Sequence, residues 1–125
     1  AEVEQQGLQV MQIISQTVRN ADSINSPALG TNAAILSINT LIPSNNPTIF
    51  DLNSGGVRIK EGAATAISLT NSRIVASNLT FSNLSRVNTP GTIRIQFTLT
   101  HINPVGRNEY SFAKTFIGSA TLRQP

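Results

Sequence analysis

Thr92-Ile93-Arg94-Ile95-Gln96-Phe97-Thr98-Leu99-Thr100-His101 alternates apolar and polar residues without a break. A period of two puts Ile93, Ile95, Phe97 and Leu99 on one face and Arg94, Gln96, Thr98 and Thr100 on the other, which predicts a half-buried strand. His101 falls in phase with the inward set, just before Asn103-Pro104. Downstream, Tyr110-Ser111-Phe112-Ala113-Lys114-Thr115-Phe116 alternates in the same manner and slips around Ile117-Gly118, where a bulge is expected. Upstream, Val75, Ser77, Leu79 and Phe81 predict a third strand with these four residues in one phase. Residues 49–52 and 57–60 flank Asn53-Ser54-Gly55-Gly56, a hairpin turn, and 67–69 follow a second turn at 61–64. Residues 35–42 are apolar and end at Pro43, which reads as a short strand or an extended link.

The period differs at the N-terminus. Residues 1–24 contain one glycine and no proline, and Val3, Gly7, Val10, Ile14, Val18 and Ala21 recur at steps of three and four. That spacing predicts one long helix over 1–24 with an apolar stripe, ended by Asn25-Ser26-Pro27. Glu2 and Glu4 near its start and Arg19 near its end agree with the helix dipole. Leu8 breaks the pattern: at about 100° per residue it lies well over ~90° from the stripe, among Glu4, Ser15 and Arg19. A helix followed by hairpin-linked strands defines an α+β chain, in which the helix stripe covers the apolar face of an antiparallel meander.

Composition narrows the chemistry. Asn, Ser and Thr make up 39 of the 125 residues, a mix that favours turns and the wet face of a sheet over helix. With no cysteine there is neither a disulfide nor a thiolate metal site. His101, the single histidine, would have to be the base of any nucleophilic triad, and no G-x-S-x-G elbow is present. Asp51, Glu61 and Glu109 lie in or beside turns, too scattered for a paired-carboxylate hydrolase or a strong calcium site. The reading is therefore of a protein with no catalytic residues, no metal and no cofactor. The net charge is +3, and Arg58, Lys60, Arg94 and Arg107 are the candidate contacts for nucleic acid, although the phenylalanines that would have to stack bases fall in core phase. Asn78-Leu79-Thr80 and Asn83-Leu84-Ser85 match the N-glycosylation sequon.

Several stretches carry a resemblance. Glu4-Gln5-Gln6-Gly7-Leu8-Gln9-Val10-Met11-Gln12-Ile13-Ile14, with Thr17-Val18-Arg19-Asn20-Ala21, resembles the helix of type IV pilins and type II secretion pseudopilins just beyond its membrane-embedded part. Ser72-Arg73-Ile74-Val75-Ala76-Ser77-Asn78-Leu79-Thr80-Phe81 is similar to a strand of that family, and Pro90-Gly91-Thr92-Ile93-Arg94-Ile95-Gln96-Phe97 to the next. Phe116 through Thr121-Leu122-Arg123 resembles the closing strand. In the order of these stretches the chain looks most like minor pilins and pseudopilins of the J type. The family's processed N-terminus opens with a methylated aromatic, an acid at the fifth position and a long apolar run, whereas this chain opens Ala1-Glu2-Val3-Glu4.

The resemblance implies that 1–125 form a single pilin-like head, the native transmembrane and assembly segment lying outside it. It implies a structural, non-enzymatic subunit of a pilus or secretion filament, anchored in the inner membrane before assembly, its head outside the cytoplasm. Its partners would be other pilin or pseudopilin subunits. Leu8 and, at an N-terminal turn expected to be partly bare, Val3 are the candidate filament contacts. The alternative is a pilus-tip binding module, either an adhesin or a DNA-capturing minor pilin using Arg58, Lys60, Arg94 or Arg107.

Overall fold

The computed structural model describes residues 2–71, 73–86, 91–101 and 112–122. Helix α1 (Glu2–Arg19) is followed by β1 (Ala21–Ser26), β2 (Asn32–Ala33) and β3 (Leu36–Thr40). A 3-10 turn at Pro43–Asn45 leads to β4 (Thr48–Asn53), β5 (Gly56–Glu61), β6 (Ile67–Ser68), β7 (Ile74–Asn83), β8 (Thr92–His101) and β9 (Phe112–Thr121). The chain is α+β, with one N-terminal helix and antiparallel sheets.

Two sheets form instead of the single meander expected. The first has the order β1-β3-β4-β5-β6 and the second β2-β7-β8-β9. The division arises because β2 leaves its sequence neighbours and pairs with β7, Asn32 opposite Ser82 and Ala33 opposite Phe81. The sheets are tied where the β4–β5 turn meets β7, the Ala76 amide donating to the Gly55 carbonyl at 2.7 Å. One apolar core joins all layers. Val3, Val10, Ile14 and Val18 of the helix, Leu36, Ile38, Phe50 and Val57 of the first sheet, and Phe81, Ile93, Ile95, Phe97 and Leu99 of the second belong to it.

The helix ends at Arg19, five residues before the predicted boundary at 24. The Asn20 amide makes a last helical bond to the Gln16 carbonyl, and Ala21–Ser26 turns back as a strand on β3. Asp, Ser and Asn are weak helix formers, and here their side chains bond better across strands. Asn25 and Asn39 exchange amide hydrogen bonds in both directions at 2.8 Å, and Asn39 also donates to the Ser23 hydroxyl at 2.7 Å. Ala21 is buried as the helical stripe requires, but from a strand. The helix is thus 18 residues, about 27 Å long.

Within the second sheet β7 departs from the predicted phase. Ile74 and Ala76 are buried and Val75 is not, while Leu79, Phe81 and Asn83 are buried beyond them. The inward set changes parity at Asn78, whose φ is 55°, where the register with β8 shifts between Ser77 and Thr80. This is a bulge: one extra residue, in a left-handed conformation that asparagine tolerates better than most residues. The bulge expected at Ile117-Gly118 is absent, because β8 and β9 stay in register from Thr92 opposite Thr121 to His101 opposite Phe112. The slip in pattern has another cause. Gly118 holds an inward place whose space is filled from the helix, since a Cβ there would stand 2.8 Å from the Met11 sulfur. The β4–β5 hairpin forms as read, with Asn53 paired to Gly56 and Ser54 and Gly55 both at positive φ.

Candidate assembly surface

The helix lies along β8 and β9, and three contacts fix its setting on β9. The Glu4 carboxylate meets the Lys114 ammonium at 3.3 Å. Gly7 rests on the Phe116 ring, where any Cβ would overlap it. Met11 fills the space over Gly118. Phe116 in turn stacks on Phe97 with ring centroids 5.4 Å apart, and the Lys114 ammonium stands 5.5 Å from the Phe116 centroid. Apolar packing carries this dock. The Glu4–Lys114 pair is nearly half exposed, and ion pairs of that kind contribute roughly 0–1 kcal/mol.

Leu8 sits between Glu4 and Met11 on the helix surface, one step further from the core, and is 67% exposed. It therefore projects over the flank of β9 rather than into the sheet. Val3 does not share that exposure. At 1% it is core, so the expected bare N-terminal turn is corrected. Val3 stands one heptad before Val10 on the stripe, and that position aims it at the sheet.

Among the described residues the candidate cations are divided between the two sheets. Arg58 and Lys60 lie on β5 in the first sheet and Arg94 on β8 in the second; Arg107 lies outside the described residues. Arg58 is committed to Asp51, directly opposite on β4, through two hydrogen bonds of 3.0 and 2.8 Å. The bond to Asp51 raises the Arg58 pKa above the ordinary arginine value, partial desolvation opposing it and the carboxylate charge adding to it. A raised pKa gives stability that is present below the unfolded value and lost only as pH rises through the folded one. Arg58 therefore stays charged at ordinary pH. From the sequence Asp51 reads only as an acid in or beside a turn. The two-residue turn at Ser54-Gly55 already placed it across from Arg58.

His101 closes β8, half-buried, opposite Ile74 on one side and Phe112 on the other. Glu61 ends β5 and lines an open groove of about 400 Å³ with Thr17, Asn20, Leu41 and Ile42, while Glu109 lies outside the described residues. Among the described residues no three His, Asp or Glu side chains gather where they could hold a metal ion, and no helix is long and apolar enough to cross a membrane. The two sequons differ. Asn78 is exposed at the bulge, whereas the buried Asn83 amide donates to the Pro27 carbonyl at 2.9 Å and its side-chain oxygen accepts from the Ser85 amide at 3.0 Å. No family model, curated protein or solved structure matches this chain.

Proposed function

We propose that this chain is the globular head of a minor pilin or J-type pseudopilin, a structural subunit that acts by non-covalent packing in a pilus or secretion filament. The observation that carries the reading is Leu8: a large apolar side chain, 67% exposed, on the outward side of a helix whose other face is sealed to the sheet. Single exposed leucines are common on protein surfaces. This one gains its meaning from the resemblance, in which that part of the helix faces neighbouring subunits. In this reading the head sits outside the cytoplasm, and a membrane anchor precedes it in the full-length protein. Among the described residues the candidate cations of the DNA-capturing alternative are divided, Arg58 being held by Asp51 and Arg94 lying on a different sheet from Lys60.

The test is Leu8→Glu. The melting temperature of the head is expected to stay within about a degree, since surface substitutions usually change stability by no more than ~0.5 kcal/mol. Filament formation by the full-length protein should fall sharply. Unchanged assembly would remove Leu8 from the filament contacts and the reading's main support with it.

A further inference from the structure

The two sheets have four outer strands, and three of them are poor templates for pairing. β2 and β6 have two residues each, and β1 is broken by two register shifts. β9 is the exception: ten residues, in unbroken register with β8, with no described strand on its far side. Edge strands of soluble proteins are normally blunted by shortness, bulges, proline or outward charge. β9 has none of these, because its one charge, Lys114, lies on the helix side and pairs with Glu4.

The free backbone groups can be assigned. The Leu122 amide donates to the Gly91 carbonyl, so Gly91 and Leu122 form a hydrogen-bonded pair. In an antiparallel ladder such pairs recur at every second residue. Phe112, Lys114, Phe116, Gly118 and Ala120 therefore bond to β8, and Ala113, Thr115, Ile117, Ser119 and Thr121 direct their N–H and C=O groups away from it. All five of these residues are exposed, Ile117 at 58%.

We propose that β9 is a self-pairing edge, which joins a second copy of this chain in an antiparallel β9–β9 contact about a two-fold axis at Ile117. The edge is self-complementary in that register. Ile117 meets its own copy, Thr115 meets Ser119, and Ala113 meets Thr121, so no like charges face each other and each pair includes at least one β-branched residue. On the helix side Lys114 falls opposite Ala120 and Phe116 opposite Gly118. Ile117, exposed on the face away from the helix, is covered by its own copy in this contact. The inference concerns the head alone and does not rest on the filament reading.

The chain has no cysteine, so single substitutions report cleanly. A hydrogen-bonded antiparallel pair spaces Cα atoms by about 5.5 Å, within disulfide reach. Ile117→Cys is expected to give a disulfide-linked dimer on mild oxidation, and Leu29→Cys, equally open but remote from β9, is not. Mixing Thr115→Cys with Ser119→Cys chains should yield the heterodimer in preference to either homodimer. Ile117→Pro removes an outward N–H and should abolish concentration-dependent sedimentation as a dimer. If that variant does not fold, Ile117→Lys makes the same test with the backbone intact. A wild-type chain that stays monomeric at millimolar concentration, or an Ile117→Cys yield no greater than that of Leu29→Cys, overturns the proposal. Equal yields at all three β9 positions overturn the register.

Discussion

β7 and β8 are neighbours in one sheet, ten residues each, drawn from similar residue types. β8 keeps one phase from end to end: Ile93, Ile95, Phe97 and Leu99 are all fully buried. β7 changes phase at Asn78, so that even-numbered residues point inward before the bulge and odd-numbered ones after it. The difference shows where a strand's alternation can be trusted. A side-chain period of two survives only while the backbone register does, and one left-handed residue inverts it.

The largest effect lies in the uninterrupted strand. Phe97→Ala should cost about 3–5 kcal/mol, because the ring is fully buried and stacked on Phe116. Chemical denaturation measures it, and a loss under ~1 kcal/mol would show that β8 faces the other way. A smaller effect is expected at the bulge. Asn78→Val puts a β-branched residue at a φ of 55° and should cost about 1–2 kcal/mol, whereas Asn78→Gly should be tolerated. Equal stability for the two variants would mean that Asn78 is not left-handed in solution. The smallest effect is expected at Val75. Exposed by the phase change, it should accept Val75→Thr within ~0.5 kcal/mol. Burying the added hydroxyl without a partner would cost ~1–3 kcal/mol, so a loss of that size would put Val75 in the core and erase the bulge.

These residues also mark how far sequence alone reaches. Ile93 to Leu99 were legible because local periodicity and burial coincide. The inward phase of Val75 and Ser77 was misread because an asparagine in an alternating run carries no sign of its φ. The helix end was misread because Ala21 satisfies a helical stripe and a strand equally well; the cross-strand pairing of Asn25 with Asn39 decides it, and that contact is non-local. The same holds for the division into two sheets, which turns on two residues of β2. Of the candidate surface, Leu8 followed from helical rotation alone. Val3 was misplaced by assuming that a terminus frays. Arg58 looked free until the hairpin register set Asp51 against it. That no described strand lies beyond β9 had no local signal, since an edge is defined by what does not pair with it.

The reciprocal fit of helix and sheet has a mechanical consequence. A helix glycine admits a sheet ring and a sheet glycine admits a helix methionine, so neither surface can slide past the other without steric overlap. The contacts Glu4 to Lys114, Gly7 to Phe116 and Met11 to Gly118 advance together, so the helix runs in the direction of β9. A pull along the helix axis would therefore load β9 lengthwise. The ten residue pairs between β8 and β9 would then bear the force in shear, all at once, rather than peel one after another. Tension applied through the N-terminus would meet this fold along its stiff direction.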